Sequence, residues 1–215
     1  MTAESSSFKQ IAPAHYPCGP VAKGQTLHVS PYVGWANGIP DSVTVVDLTI
    51  GDSKLQFTGL GYHDQVNQVR RHRTRILTIE SQTWGDQPIV QNLANWVFGH
   101  GRVGPYSIVW SDILDSNGTE YVISYAAKDG RIVAAQSIGA NSTYPPTQSS
   151  GNPGGFHIDL ELGDEGVLGV NVTNSLLTYR IDKLYARWVG SMIGGMDGAS
   201  NWKDVSMQEE FRVTK

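Results

Sequence analysis

The sequence predicts an all-β protein, an antiparallel meander curled into a barrel. Three observations carry that expectation. Glycine is abundant, at 24 of 215 residues, while charged residues are few at 17% and apolar ones make up 40%, the profile of a turn-rich β domain. Four pairs of β-branched or aromatic runs flank short glycine-containing turns. In one of them Phe156, Ile158, Leu160 and Leu162 alternate with His157, Asp159 and Glu161, the period-two pattern of a strand with one buried and one wet face.

The first pair is Val43 to Ile50 with Lys54 to Thr58 around Gly51-Asp52-Ser53, a hairpin by its flanking runs. Asn117-Gly118 joins Tyr106–Ile113 to Glu120–Ala126, and Asp129-Gly130 joins Tyr121–Ala127 to Arg131–Gln136. Asx-Gly pairs supply the positive φ values that tight hairpins require. The fourth pair, Phe156–Leu162 and Val167–Thr173, surrounds Gly163-Asp164-Glu165-Gly166, and its alternation turns His157 toward solvent. Closing such a meander removes exposed strand edges, and a small barrel can hold one apolar ligand. Residues 1–24, with Pro13, Pro17 and Pro20, read as an extended or disordered lead-in, so the folded domain is expected over 25–215. The segment 147–155 reads as a loop.

Composition excludes several functions. A net charge of −4 favours neither nucleic acid nor an anionic membrane. No apolar run is long enough for a membrane span, and no basic-then-apolar signal opens the chain, so a cytoplasmic protein is expected. Cys18 is the sole cysteine, which rules out an intrachain disulfide. The sequence shows no G-x-S-x-G elbow, phosphate loop or H-E-x-x-H motif, and its histidines are scattered, so neither a metal nor a cofactor is expected.

The candidate binding residues cluster in Trp96-Val97-Phe98-Gly99-His100-Gly101-Arg102 and in Tyr106-Ser107-Ile108-Val109-Trp110. Trp96, Phe98 and His100 share one strand face; Tyr106, Ile108 and Trp110 share another. Side chains of this size must form either barrel core or pocket wall. Gly99 and Gly101 permit close backbone approach beside His100. Arg102 is expected in a structural ion pair with Asp112 or Asp64. Upstream, Tyr62 and Asp64 point to one side of a strand and His63 to the other. With a usual pKa of ~6.5, His63 suits general acid or base work, and it is equally suited to holding a strand or loop by hydrogen bonds.

Gly61-Tyr62-His63-Asp64, Gly99-His100-Gly101-Arg102 and Tyr125-Ala126-Ala127-Lys128-Asp129-Gly130 together resemble the carboxy-terminal domain of fungal Diels-Alderases, lipocalin-like proteins related to hydroxyneurosporene-synthase-type sequences. The likeness runs from about Val33 to Val213. It implies a lipocalin-like (calycin) barrel, left incomplete if strands are missing. It also implies cofactor-free folding of a linear polyene, a polyketide or polyketide–amino acid hybrid, for intramolecular [4+2] cycloaddition in secondary metabolism. His63 and Asp64 then become the catalytic candidates. Tyr62, Trp96, Phe98, His100, Tyr106, Trp110 and Trp188 become the substrate-binding ones, with Trp188 carried over from the Tyr185-Ala186-Arg187-Trp188 strand. The expected partner is an apolar small molecule. The resembling proteins are about twice as long, which implies a missing amino-terminal lipocalin-like domain. A non-catalytic carrier of an apolar metabolite and an alkene hydratase, with His63 or Asp64 protonating the alkene, are the alternatives.

Residues 66–82 interrupt the resemblance. Arg70, Arg71, Arg73 and Arg75 crowd this stretch, and nineteen residues separate Asp64 from Trp84 where the family pattern has about two. Removing Val66 to Gln82 restores the spacing. Valine codons begin with GT and glutamine codons can end in AG, so the segment reads either as a translated in-frame intron of seventeen codons or as a solvated loop or short helix.

Overall fold

The computed structural model describes residues 5–31, 33–67, 89–139 and 154–213. Apart from two short helical turns, the regular structure of these residues is strand, arranged as two antiparallel sheets. The insert at 66–82 lies outside the described residues but for its first two, as does the expected loop at 147–155 but for its last two.

The first sheet is built on one long hairpin. Strand β1 spans Ser5–Gln10, β2 His15–Tyr16, β3 Gly19–Pro20, β4 His28–Ser30, β5 Val33–Ile50 and β6 Ser53–Asn67. β5 pairs with β6 along its length, and its other edge takes β1, β2 and β4 in turn. An 18-residue strand stays bent rather than flat because its register with β6 slips between Asn37 and Ile39 and again between Ile39 and Ser42. Pro40, which has no N–H for a ladder, sits in this irregular stretch. The slip frees the Asp41 carbonyl to accept the Ile11 and Ala12 N–H groups at 3.0 and 3.4 Å.

Residues 1–24 therefore differ from the expected lead-in. From Ser5 onward they supply three strands, and Ala12 and His15 are fully buried. The prolines space the chain between two-residue strands too short to show periodicity. His15 stacks on Tyr125, with ring centroids 3.7 Å apart, and meets Trp35 edge-on at 5.2 Å. The Tyr125 hydroxyl donates to the Pro13 carbonyl at 2.7 Å. This segment belongs to the core rather than preceding it.

After the short helix α1 (Ile89–Asn92), the second sheet comprises β7 Leu93–Val103, β8 Tyr106–Asp115, β9 Glu120–Lys128, β10 Arg131–Gly139, β11 Gly155–Glu161, β12 Val167–Ile181, β13 Tyr185–Met196 and β14 Trp202–Arg212. A 3-10 turn, Gly163–Glu165, joins β11 to β12. The order is β10-β9-β8-β7-β14-β13-β12-β11, two meanders joined where the last strand pairs with the first. One apolar cluster draws Trp110 from β8, Ala134 from β10, Leu160 from β11, Val170 from β12 and Met192 from β13. Strands that distant along the order meet only if the sheet wraps, and it forms a nearly closed eight-stranded barrel, as expected of a lipocalin-like fold.

The four expected hairpins are all present. Their turns differ in chemistry. Asp129 and Gly130 both have positive φ, 52° and 73°, as a tight Asx-Gly turn needs. At Asn117-Gly118 only the glycine does; there the Asp115 carboxylate accepts the Asn117 and Thr119 N–H groups, each at 2.8 Å. A further Asx-Gly pair, Asp197-Gly198, turns β13 into β14 with φ of 51° and 81°.

The first sheet packs on the outside of the barrel wall through Val33, Trp35, Phe98, Val109, Ile113 and Tyr125. Arg102 pins the two together: its Nε and Nη2 donate to the Asp41 carboxylate at 2.9 Å each, and the Ser107 hydroxyl donates to it at 2.6 Å. The ion pair is structural, as expected, but its partner is Asp41 and not Asp112 or Asp64. No helix of the described residues is long and apolar enough to cross a membrane.

Candidate active site between the two sheets

Strand alternation decides which side chains meet. Tyr62 and Asp64, two apart on β6, face the barrel wall beside Trp35 and Asn37 of β5. Asn37 Nδ2 donates to the Tyr62 hydroxyl at 3.1 Å, and the Trp35 indole N–H donates to Asp64 Oδ2 at 2.8 Å. The wall contributes Phe98 and His100 from β7. The His100 ring lies flat on Tyr62, centroids 3.8 Å apart at 13°, while Phe98 sits 5.6 Å from Tyr62 and 6.1 Å from Trp35. Glu209 of β14 is the cross-strand partner of both Phe98 and Arg187, so all three share this face. Arg187 Nη2 pairs with Glu209 Oε1 at 2.7 Å and its Nε donates to the Tyr185 hydroxyl at 3.0 Å.

The electrostatics follow from burying charge among rings. Burial pushes the Asp64 carboxyl above its usual 3.8, against the pull of the Trp35 and Tyr62 donors. Glu209 is also raised by burial, a shift that Arg187 opposes and the Asp64 charge reinforces. Glu209 is held by the Arg187 ion pair, whereas Asp64 has only neutral donors hydrogen-bonded to it. Burial, with the positive Arg187 nearby, drops His100 to about 3, so its ring is neutral at pH 7. Its Nε2 is buried without a hydrogen-bond partner. Tyr62 is pushed well above 10 by burial and by the Asp64 charge, and so stays a phenol. The site combines one protonatable carboxyl, one fixed ion pair and a neutral imidazole against an aromatic floor. Among the described residues, no group of three or more His, Cys, Asp or Glu side chains could hold a metal ion.

The structure divides the sequence candidates into three groups. Tyr62, Asp64, Phe98 and His100 come together. His63 does not: the strand turns it to the opposite, exposed face, 3.8 Å from where a Cβ on Gly38 would lie. Trp96 shares the face of Phe98, but its indole N–H is spent on the Ser111 hydroxyl at 2.6 Å and its ring is core. Tyr106 and Trp110 belong to the barrel's interior cluster, and Trp188, opposite Gln208 on the row that continues to Trp110, lies on that same side. The Tyr106 hydroxyl donates to Glu165 at 2.7 Å, far from Tyr62 along the strands. The sequence reading missed Trp35, Asn37, Arg187 and Glu209. A signal existed for Arg187: it precedes Trp188 on a strand, so only one of the two can face a given side.

No family model matches the chain. It is 27% identical over 216 residues to the quinolone epoxide rearrangement protein asqO of Emericella nidulans, and 28% identical over 215 residues to its counterpart penF of Penicillium thymicola. Each match takes in 96% of this chain but 54% of the relative, so the chain spans about half the length of the curated relatives it matches. Among solved structures it resembles CghA with Sch210972, at a TM-score of 0.67 and 14% identity over 98% of this chain and 61% of that one. It also resembles a putative AttH from Nitrosomonas europaea, at 0.60 and 10% over 100% and 64%. Kievitone hydratase from Nectria haematococca follows, at 0.52 and 14% over 99% and 62%. The chain is thus similar, over nearly all of its length, to fungal quinolone epoxide rearrangement proteins, and it has the lipocalin-like fold that the resemblance to fungal Diels-Alderases implies.

Proposed function

We propose that this chain is an isomerase of secondary metabolism that holds an apolar substrate between its two sheets and donates a proton or hydrogen bond from Asp64 to a substrate oxygen. The observation that carries the reading is the Asp64 carboxyl, raised by burial and oriented by the Trp35 indole at 2.8 Å, beside Tyr62 and the neutral His100. A protonated carboxyl in a dry site can open an epoxide, leaving positive charge on carbon beside electron-rich rings. This suits a rearrangement of the kind for which asqO and penF are named. The same donor aimed at a carbonyl would activate a dienophile, which keeps the [4+2] cycloaddition of a polyene as the second reading. The resemblance of the sequence motifs to fungal Diels-Alderases supports that reading. Either reaction draws most of its acceleration from confinement and preorganised polarity rather than from a nucleophile.

The test is turnover by purified protein of a quinolone epoxide and, separately, of a linear polyene carrying an activated carbonyl. Wild type should rearrange at least one of them, and Asp64→Asn should lose about 10²–10⁴-fold in rate while binding persists. Binding of both without any change in rate or stereochemistry would make the chain a carrier and refute the isomerase. Labelled oxygen from water appearing in the product would make it a hydratase.

A further inference from the structure

The end of the barrel at which β8 turns into β9 brings together two carboxyl groups that the inter-sheet site does not use. Strand alternation puts Asp112 of β8 on the interior face with Trp110, and Glu120 of β9 on that face with Ala126. Asp112 lies opposite Val122 and Leu114 opposite Glu120, so the two acids are diagonal neighbours across the strand pair, close enough for their side chains to meet. The Asp112 side chain is hydrogen-bonded to that of Glu120. Asp112 is 3% exposed, and its Oδ1 has no hydrogen-bond partner.

The other strands of this end contribute a separate polar group. β7 brings Asn95 and Val97 to the same face, β14 brings Glu210 and Arg212, β13 brings Ala186, and Arg180 of β12 stands opposite Ala186. β10 places Ile138, which carries no charge, opposite Val122 on β9. Glu210 accepts from Asn95 Nδ2 at 3.1 Å and from Arg212 Nε at 3.2 Å. The Arg212 charge is thus directed at Glu210, and the charge that acts on Asp112 is that of Glu120.

Two carboxyl groups in contact, one of them shielded from water, cannot both ionise without cost. One shared proton makes a hydrogen bond between them, whereas two carboxylates repel and lose it. Burial, and then the Glu120 charge, push the Asp112 carboxyl up from 3.8 to about 7. Because the folded value lies above the unfolded one, the unfolded chain gives up this proton first as pH rises. The stability tied to the neutral pair is complete below 3.8, drains away between 3.8 and about 7, and changes no further above that.

We propose that Asp112 and Glu120 form a proton-sharing latch between β8 and β9, closed while one proton bridges them and released when that proton leaves. Release loosens the wall from its inner side. Asp112 pairs with Val97 of β7, whose neighbour Phe98 packs toward the first sheet, so the latch sets how firmly the wall holds its outer face. The inference stands on the barrel's own residues and does not depend on the isomerase reading.

The experiment combines infrared spectra of the full chain with amide hydrogen exchange, both taken from pH ~5 to ~9. Wild type should lose a protonated-carboxyl band as pH rises through about 7, and Asp112→Asn should lack that band from the start. Over the same range, protection of residues 110–114 and 120–124, corrected for the intrinsic exchange rate at each pH, should fall by about tenfold or more in wild type. Asp112→Asn, whose amide can donate to Glu120 at every pH, should keep its protection within about twofold. If that variant does not fold, Glu120→Gln, at the more exposed of the two positions, should flatten the loss in the same way. A band unchanged in Asp112→Asn would mean that Asp112 is ionised throughout. An equal loss of protection in wild type and variant would mean that the strands loosen for another reason, and a band that titrates while protection stays constant would mean that the pair holds nothing shut; each of these results overturns the proposal.

Discussion

His15 offers a measurement that isolates one buried group. It is 0% exposed, stacked on Tyr125, and donates from Nδ1 to the Tyr16 carbonyl at 2.9 Å. Burial drops its pKa from 6.5 to about 4. Because the folded value lies below the unfolded one, the unfolded chain takes up the proton first as pH falls. The associated stability is complete above 6.5, drains away between 6.5 and about 4, and changes no further below that. At ~1.4 kcal/mol per pH unit, a shift from 6.5 to about 4 amounts to roughly 3 kcal/mol. His15→Phe keeps a ring on Tyr125 and removes the titration, at a pH-independent cost of about 1–2 kcal/mol for the lost hydrogen bond and imperfect packing. Urea unfolding of both proteins across this window should show wild type the more stable at neutral pH, with the gap closing and reversing between pH ~5 and ~6. Other titrating groups, His100 and Asp112 among them, cancel in the difference. A gap that stays constant across the window would refute the burial argument and with it the docking of residues 12–16 into the core.

The remaining predictions concern the clamp, the wall and the proton. Asp41→Ala leaves Arg102 and Ser107 facing each other without the carboxylate that both donate to, and should cost about 3 kcal/mol in urea unfolding; a loss below ~0.5 kcal/mol, the range of surface substitutions, would mean that the sheets hold together without it. Gly99→Ala drives a methyl into the Trp110 ring, since the added carbon would fall 2.1 Å from it, and should destabilise by about 1–3 kcal/mol with a shift in near-ultraviolet circular dichroism. An unchanged midpoint would show that the indole does not lie there. The rate of the proposed isomerisation should fall as pH rises through a limb above the 3.8 of an ordinary aspartate, because the acid must carry its proton. A rate that instead rises over that limb would assign Asp64 the role of base.

Hairpins were legible in the sequence because their signal is local. The turn at Asp129-Gly130 needs two positive φ angles that few residue pairs supply, and the alternation of Phe156 to Leu162 fixes a face without reference to any partner. The same locality explains the failures. Residues 12–16 carry no periodicity, and what buries His15 is a ring on Tyr125, more than a hundred residues away in the chain. His63 and Asp64 were adjacent candidates, but a strand must send neighbours to opposite sides, so only Asp64 could join Tyr62. Trp96, Phe98 and His100 were correctly placed on one face. Which face of Tyr106, Ile108 and Trp110 meets which side of the barrel depended on two sheets whose packing no run of residues announces. Arg187 and Glu209 reach the site only because β14 pairs with β7, a contact between the two ends of the second sheet's chain.

That closing pair also explains why one wall packs differently on its two faces. On β14, Gln208 points into the barrel and Glu209 points to the first sheet; on β7, Gly99 yields its interior space to Trp110 while Phe98 and His100 floor the outer site. A ring reaching inward across a glycine stiffens the backbone whose next residue carries the outward ring. The position of His100 against Tyr62 is thereby tied to the packing of Trp110. Disturbing the interior should move the outer stack before it unfolds the domain. An aromatic wall of this kind constrains both faces at once, the rigidity that the proposed confinement of an apolar substrate requires.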